Sequence, residues 1–231
     1  MIIASLLEDQ KIEKRISITP EIAKKYIELG FEVHIVENYG KHLGFENKEY
    51  LDFGVKVISD EKEIIQNADV IIQLGLPNDS KISLLKSNQT IIGVLNPYEN
   101  KDKLKEISKK NVNLFSLELL PRITRAQSMD ILSSQANLAG YKAVIEAFAE
   151  FKKAIPMMMT AAGTVPAAKV LVVGAGVAGL QAIATAKRMG AIVYATDVRM
   201  ASKEQVESLG GKFLTVEGSE NLETKEGYAK E

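Results

Sequence analysis

Three glycines in the second half of the chain have the spacing of a turn that binds phosphate groups. Gly174, Gly176 and Gly179 follow the apolar run 170–173 and precede a helical run that begins at Val177. In a G-x-G-x-x-G pattern the first glycine permits a tight turn, the second lets the backbone approach a pyrophosphate, and the third lets helix and strand pack closely. The N–H groups at the start of the helix then face the phosphates. The segment is predicted to bind a dinucleotide; a glycine-rich turn without a nucleotide is the alternative.

A carboxylate follows at the distance expected for recognition of the ribose. Asp197 ends the next predicted strand, 197 − 174 = 23 residues after Gly174, and a spacing of about 20 residues is usual for the acid that binds the ribose 2′-hydroxyl. An acid at this position repels a 2′-phosphate, so NAD(H) is predicted over NADP(H). Arg199 opposes this prediction, because a guanidinium near the ribose can accept that phosphate. Val198 lies between the two and is assigned to the same cofactor site.

Polar residues near the middle of the chain form a second candidate site. A helix is predicted from Gln127 to about Phe151, and its polar residues recur every three or four positions, which places them on one face. These residues are Gln127, Asp130, Ser133 or Ser134, and Asn137. With Arg122 just upstream, the patch suits a planar amide such as nicotinamide. From the pattern alone, the solvated face of an ordinary amphipathic helix is the commoner explanation.

The composition excludes several other kinds of chemistry. The 231 residues carry 29 basic and 30 acidic side chains, a net charge of −1, so the surplus of positive charge that nucleic-acid binding requires is missing. Without cysteine there is no thiolate nucleophile, disulfide or cysteine-bound metal. Two histidines, His34 and His42, are too few for a His-rich metal site, and no metal is predicted. No uninterrupted apolar stretch reaches the ~20 residues that a membrane-spanning helix requires.

Short β-rich runs alternate with helical runs, a pattern that favours parallel sheets covered by helices. Thr19 and Pro20 are predicted to start the first helix, as N-cap and first helical residue. The predicted strands cover residues 2–7, 31–36, 55–58, 70–74, 90–94, 113–117, 169–173, 192–196 and 212–216. The other predicted helices cover residues 60–67, 81–86, 101–110, 177–189 and 202–209. The predicted fold class is therefore α/β, with two Rossmann-like doubly wound domains.

The same runs predict the domain boundaries. Residues 1–126 form an N-terminal α/β domain, residues 127–164 a connecting long helix and linker, and residues 165–231 a dinucleotide-binding Rossmann domain. The last segment has 231 − 164 = 67 residues, enough for only the first of the two βαβαβ halves of a doubly wound fold. The second domain is therefore expected to be truncated, with an exposed strand edge and apolar surface, and to bind NADH weakly by itself.

Both candidate sites resemble those of one family. The segment RITRAQSMDILSSQANLAGY, residues 122–141, is similar to a loop of proton-translocating NAD(P)+ transhydrogenase, in the NAD(H)-binding domain at the start of its alpha subunit. The segments TAAGTVP at 160–166, GAGVAGL at 174–180, DVR at 197–199 and GYAK at 227–230 also resemble that family. The resemblance covers nearly the whole chain.

This resemblance implies roles for individual residues and for partners. Arg122, Gln127, Asp130 and Ser133 are expected to hold the nicotinamide and its ribose at the catalytic site, and Tyr228 to close over the bound nucleotide. The chain is expected to pass hydride from NADH to NADP+ bound on a partner domain, while a separate membrane domain couples this transfer to proton translocation. By the same resemblance, the enzyme is expected to be active only with its partner subunits, and the chain is expected to be a peripheral homodimer at the cytoplasmic face of the inner membrane.

Alanine dehydrogenase is a related family and the alternative. The segment RISITP, residues 15–20, resembles the motif with which that family grips a substrate carboxylate, but Gly75 and Asn96 stand where the family has its lysine and histidine. Oxidation of an alcohol or amine requires a base for the proton, whereas hydride transfer between two nicotinamides requires only positioning and exclusion of water. Arg15 is therefore expected to be a structural or surface residue. A truncated, non-catalytic fragment is the remaining possibility.

Overall fold

The computed structural model describes residues 1–121 and 123–215. The chain divides into two compact units, of which the first is Met1–Asp130 and the second begins at Ile131. Each unit has its own parallel sheet.

The first unit is built on a sheet of six parallel strands. They are β1 (Ile2–Ser5), β2 (Glu32–Val36), β3 (Lys56–Ile58), β4 (Val70–Gln73), β5 (Thr90–Gly93) and β6 (Asn113–Ser116). Their order in the sheet is β3-β2-β1-β4-β5-β6, and every neighbouring pair is parallel. The strand order reverses between β1 and β4, as in a doubly wound fold. The predicted α/β class with a Rossmann-like sheet is confirmed.

Helices connect these strands. They are α1 (Pro20–Glu28), α2 (Asn47–Leu51), α3 (Glu61–Asn67), α4 (Asp79–Ser83) and α5 (Lys101–Lys109), with 3-10 turns at Lys41–Leu43, Leu117–Leu119 and Thr124–Met129. The start of α1 is as predicted, because Thr19 Oγ1 accepts the N–H of Ile22 at 3.4 Å. The prediction of a helix over 81–86 is wrong by two to three residues. Asn78 Oδ1 accepts the N–H of Lys81 at 3.1 Å and so caps α4 earlier in the chain.

The core of the first unit lies on both faces of its sheet. Ile3 and Ala4 follow each other in β1 but belong to different apolar clusters, since successive side chains of a strand point to opposite faces. One cluster includes Ala4, Leu6, Ile64, Ile65, Ile71, Ile91, Leu95 and Ile107. The other includes Ile3, Ile18, Val33, Ile35, Tyr39 and Tyr50. Burial on both faces explains why the strands are almost continuously apolar.

The second unit combines a long helix with a small parallel sheet. Its elements are α6 (Ile131–Glu150), β7 (Met158–Thr160), β8 (Gly163–Val165), β9 (Lys169–Val173), α7 (Val177–Arg188), β10 (Ile192–Thr196), α8 (Ser202–Ser208) and β11 (Lys212–Phe213). The parallel strands have the order β11-β10-β9, which is one βαβαβ unit. Its core contains Val144 of α6, Ile183 of α7 and Val193 of β10. Val216, the predicted end of the last strand, lies outside the described residues.

The long helix begins later than predicted. Residues Thr124–Met129 form a 3-10 helix, and Asp130 has an extended conformation with φ −73° and ψ 91°, so α6 starts only at Ile131. The side chain of an aspartate competes with the backbone for hydrogen bonds, which disfavours aspartate in a helix interior and favours it at helix ends. The prediction that Gln127 and Asp130 share one helical face with Ser133 and Asn137 is therefore wrong.

A hairpin stands where a linker without regular structure is predicted. Strands β7 and β8 are antiparallel, and Thr160 pairs with Gly163 across the turn. Gly163 has a φ of +135°, which glycine adopts without strain. Every residue of both strands is exposed. The alternation of buried and exposed residues that reveals a strand in a sequence is therefore missing here.

Candidate dinucleotide site

The glycine turn joins β9 to α7. Gly174 has a φ of +94°, a left-handed conformation that favours glycine. Its N–H donates to the carbonyl oxygen of Thr196 at 2.8 Å and so ties the turn to the carboxyl end of β10. Gly176 is the N-cap of α7, and a Cβ at this position would meet no atom of the described residues within 4 Å. The second glycine therefore faces open space, as the approach of a pyrophosphate to the backbone requires.

Two further glycines allow α7 to pack closely against its neighbours. A Cβ at Gly179 would overlap the carbonyl oxygen of Gly174, so a side chain here would push the helix away from the turn. A Cβ at Gly140 in α6 would overlap the carbonyl oxygen of Ala178. The backbone of α6 thus lies directly against the first turn of α7. Sequence reasoning gave Gly140 no role, and its signal is a glycine inside an apolar helix, which usually has a packing reason.

The first turn of α7 offers backbone donors to an anion. The first bond of the helix runs from the N–H of Leu180 to the carbonyl oxygen of Gly176 at 2.8 Å. The N–H groups nearer to the N-terminus, beginning with Val177, have no acceptor within the helix, and Gly176 has no side chain to cap them. Together with the positive end of the helix dipole, they suit a pyrophosphate.

Asp197 lies beyond the carboxyl end of β10 and joins the turn to Arg199. Its Oδ2 accepts the N–H of Ala175 at 2.7 Å, within the glycine turn. Its Oδ1 accepts the backbone N–H of Arg199 at 2.8 Å and the Nε–H at 2.9 Å, and Nη2 of the same arginine donates to Oδ2 at 3.0 Å. The side chain of Asp197 is only 6% exposed and that of Arg199 is 22% exposed. The carboxylate is thus held between the turn and the guanidinium.

These bonds keep Asp197 ionised. The hydrogen bonds from the Arg199 side chain favour the charged form most, and the backbone N–H groups of Ala175 and Arg199 add to this effect against the opposing effect of burial. Together they lower the pKa of Asp197 to about 2. At neutral pH the residue is therefore a full negative charge beside the glycine turn, able to accept hydrogen bonds from a ribose hydroxyl.

The predicted site residues fall into three groups in the structure. Gly174, Gly176, Val177, Gly179, Asp197, Val198 and Arg199 lie at the glycine turn or at the end of the adjacent strand. Gln127 and Asp130 belong to the first unit, and Ser133 lies in the first turn of α6 in the second unit. Arg122 and Tyr228 lie outside the described residues. The nicotinamide-binding roles of the last two groups stay predictions.

The first unit has a cavity at the point where its strand order reverses. The cavity has a volume of about 400 Å³ and lies beyond the carboxyl ends of β1 and β4. Its lining includes the acidic residues Glu8, Asp9 and Glu13 and the basic residues Lys81 and Lys103. Glu8 Oε1 accepts the N–H of Leu74 at 2.6 Å, and burial raises the pKa of Glu8.

Arg15 is engaged by a carboxylate of the protein itself. Its Nε and Nη2 donate to the two carboxylate oxygens of Glu13, at 2.8 Å and 2.6 Å. This fork-to-fork geometry is the one with which an arginine would bind a substrate carboxylate. Gly75 has no side chain to serve as a base, and the backbone N–H of Asn96 donates to Glu118 Oε1 at 2.6 Å.

Metal-binding clusters and membrane-spanning helices are both missing from the described residues. Within residues 1–121 and 123–215, histidines, aspartates and glutamates do not form a group of three that could hold a metal ion. No helix in these ranges has the length and apolar character needed to span a membrane.

Sequence models of two domains match the chain. The model described as alanine dehydrogenase/PNT, N-terminal domain, matches residues 6–139, and the one described as alanine dehydrogenase/PNT, C-terminal domain, matches residues 143–230. The chain belongs to the alanine dehydrogenase/PNT family. Strands β2 to β6 of the six-stranded sheet lie within the match to the N-terminal domain, and the glycine turn with Asp197 lies within the match to the C-terminal domain.

Within the alanine dehydrogenase/PNT family, the chain is more similar to transhydrogenase subunits than to alanine dehydrogenases. It is 50% identical to the first part of the NAD(P) transhydrogenase alpha subunit of Rickettsia prowazekii, over 100% of this chain and 61% of the relative. A solved structure of transhydrogenase from Sinorhizobium meliloti superposes with a TM-score of 0.89 at 48% identity, covering 93% of this chain and 64% of that one. The chain thus spans less than two thirds of the length of these relatives.

Alanine dehydrogenases are more distant members of the same family. The enzyme of Methanococcus maripaludis is 25% identical over 93% of this chain and 58% of its own length. The difference between 50% and 25% identity, over nearly the same residues, separates the two branches of the family.

Proposed function

We propose that the chain is the NAD(H)-binding component of a proton-translocating NAD(P)+ transhydrogenase. In this reaction NADH passes a hydride to NADP+ bound on a partner domain, and a separate membrane domain couples the transfer to proton movement. The observation that carries the proposal is the glycine turn, with open space before Gly176 and the ionised carboxylate of Asp197 next to it. The identity to transhydrogenase subunits supports the choice within the family.

Each part of this site has a role in holding NAD(H). The backbone at Gly176 and the N–H groups of the first turn of α7 bind the pyrophosphate. Asp197 accepts hydrogen bonds from the ribose hydroxyls and repels a 2′-phosphate, which favours NAD(H) over NADP(H). Val198 is 48% exposed and lies next to Asp197, where it packs against the adenosine.

The nicotinamide end depends on residues that orient it rather than on a base. Arg122, Gln127, Asp130 and Ser133 hold the nicotinamide and its ribose, and Tyr228 closes over the nucleotide. Hydride moves from one carbon to another without a proton, so the protein contributes positioning and exclusion of water.

The proposed partner domains follow from the assignment of this chain as a transhydrogenase component. The Rickettsia relative is named as one part of a divided alpha subunit, which supports a multi-part enzyme in which this chain is active only together with an NADP(H)-binding domain and a membrane domain. We place the chain at the cytoplasmic face of the inner membrane as a peripheral homodimer. Exposed apolar residues of α6 support contact with other subunits. They include Leu132, Leu138 and Tyr141.

The alternative is an alanine dehydrogenase-like enzyme that oxidises an amino acid. Arg15 is paired with Glu13, so its guanidinium already binds a carboxylate of the protein. This pairing opposes the binding of a substrate carboxylate by Arg15, and Gly75 and Asn96 supply no base. The transhydrogenase assignment therefore fits the first unit better.

The proposal is tested by nucleotide binding and by substrate choice. Binding of NADH is measured from its own fluorescence, because the chain has no Trp. Reduction of NADP+ is then measured after the addition of an NADP(H)-binding domain from a related transhydrogenase. We expect NADH to bind and NADP+ to be reduced only with the partner domain. Oxidation of alanine or reduction of pyruvate by the chain alone would contradict the proposal, and absence of NADH binding in both conditions would indicate a non-catalytic fragment.

A further inference from the structure

Gly140 brings the backbone of α6 into direct contact with the first turn of α7, next to the glycine turn. A Cβ at this position would overlap the carbonyl oxygen of Ala178 and would lie 3.0 Å from its Cα. Both atoms belong to the backbone, so rotation of a side chain could not make room for the Cβ, and the helices would have to separate as whole elements. The position of α6 along α7 therefore depends on the absence of a side chain at residue 140.

The same helix carries a residue that is assigned to the other end of the cofactor site. Ser133, which is expected to hold the nicotinamide end, lies in the first turn of α6, seven residues before Gly140. Seven residues make two turns, so the two positions share one face of the helix and are about 10 Å apart along its axis. Because α6 is continuous from Ile131 to Glu150, this spacing is constant.

The glycine turn keeps its own shape through contacts outside α6. Gly179 lies against the carbonyl oxygen of Gly174, and Asp197 Oδ2 accepts the N–H of Ala175 at 2.7 Å. All four residues lie in α7, in the turn before it or at the end of β10. A displacement of α6 would therefore leave the pyrophosphate-binding N–H groups in place and would change their distance from Ser133.

We propose that Gly140 is a positioning residue for the dinucleotide, because its contact with α7 sets the distance between the pyrophosphate-binding turn and Ser133. The inference rests on the proposed binding of NAD(H) and adds to it a residue that acts through Ser133 rather than on the cofactor itself. ADP has the pyrophosphate but lacks the nicotinamide, so its binding should not depend on this distance. The binding of NADH, which spans both ends of the site, should depend on it.

The test is the substitution Gly140→Ala, with dissociation constants of NADH and ADP measured by titration calorimetry. We expect the affinity for ADP to stay within about twofold of the native value and the affinity for NADH to fall about tenfold. With the NADP(H)-binding domain of a related transhydrogenase added, hydride transfer at saturating NADH should slow by about 100-fold, because a misplacement of about 1 Å is enough for such a loss. In a chain that already carries Ser133→Ala, Gly140→Ala should cost less NADH affinity than in the native chain, because the hydroxyl that it displaces is missing.

Two further variants separate positioning from a general loss of stability. Val206 of α8 is fully buried in the core of the second unit, so Val206→Ala creates a cavity that destabilises this unit without altering the contact at Gly140. It should leave the affinity ratio of NADH to ADP unchanged. If Gly140→Ala does not fold, Ala182→Val adds bulk one turn further along the same face of α7 as Ala178, in the core cluster that also contains Val144 of α6. It should lower the ratio in the same direction.

The outcomes distinguish this inference from the proposed function. If the native chain binds NADH, and a folded Gly140→Ala chain keeps both affinities or loses both in equal proportion, Gly140 does not set the spacing; the inference is then overturned, while the proposed function stands. An equal cost of Gly140→Ala with and without Ser133 would show that Gly140 does not act through Ser133 and would also overturn the inference. Failure of the native chain to bind NADH, even with its partner domain present, contradicts the proposed function instead.

Discussion

Gly174, Gly176 and Gly179 differ in what a side chain at each position would meet. Gly174 needs its positive φ, Gly179 needs the absence of a Cβ to lie against the turn, and Gly176 faces open space. The three positions were all predictable from the spacing, because each glycine of the motif has its own steric reason. The ion pair of Asp197 with Arg199 was not predictable, since a spacing of two residues does not determine side-chain rotamers.

The contrast between two of these glycines gives the first prediction. Gly176→Ala should lower the free energy of unfolding by no more than about 1 kcal/mol, because a Cβ meets no described atom and the only cost is a poorer N-cap, but it should weaken NADH binding at least about tenfold. Gly179→Ala should instead lower the free energy of unfolding by about 1–3 kcal/mol, because its Cβ overlaps the carbonyl oxygen of Gly174. Urea denaturation and NADH fluorescence measure the two effects. Equal destabilisation by both substitutions would contradict the geometry.

The lowered pKa of Asp197 predicts a pH dependence of stability. A carboxyl whose folded pKa is below its unfolded value stabilises the fold above the unfolded value, and this contribution is lost as the pH falls through the folded value. With a folded pKa of about 2 and an unfolded value of ~3.9, the contribution is about 1–2 kcal/mol after solvent screening. Asp197→Asn should be less stable than the native chain by this amount at pH 7. The difference in the free energy of unfolding between the two proteins, measured by urea denaturation, should shrink between about pH 4 and about pH 2. A difference that does not change with pH would contradict the lowered pKa of Asp197.

Among the elements, β9, α7 and β10 were predicted to within one residue. The glycine turn marks the end of β9 and the start of α7. The apolar runs on either side of it leave little choice in where these elements begin and end. The start of α6 was not predicted, because the residues before Ile131 also have helical spacing although Asp130 interrupts the helix. The hairpin of β7 and β8 was missed because strands of three exposed residues have no burial pattern.

The contact between α6 and α7 predicts that a substitution in α6 which ordinarily stabilises a helix should here destabilise the protein. Replacement of a glycine inside a helix by alanine ordinarily stabilises the helix by about 1 kcal/mol. Gly140→Ala should instead lower the free energy of unfolding by about 1–3 kcal/mol, because its Cβ overlaps the carbonyl oxygen of Ala178. Urea denaturation measures the change, with the exposed Asn137→Ala in the same helix as a control within about 0.5 kcal/mol of native. A stabilising Gly140→Ala would show that the two helices are not in direct backbone contact.

For the molecule as a whole, length and strand order were the most informative features. Residues 131–215 of the second unit contain one βαβαβ run, and β9 lies at the edge of its sheet. Leu171 and Val173 of this strand are 58% and 77% exposed, and they point to the same face of the sheet, so part of that face is apolar and exposed. Exposed strand edges of this kind favour pairing with further polypeptide. The chain covers 61% of the length of its Rickettsia relative.

The most direct test of the proposed function is the fate of the hydrogen that NADH donates. The chain is mixed with NADP+, NADH deuterated at the transferred position, and the NADP(H)-binding domain of a related transhydrogenase, and the NADPH formed is analysed by mass spectrometry. Direct transfer predicts that the deuterium is recovered in NADPH and that none enters from deuterated solvent in the converse experiment. Loss of the label to water, or oxidation of NADH only when pyruvate and ammonia are supplied, would contradict the assignment as a transhydrogenase component.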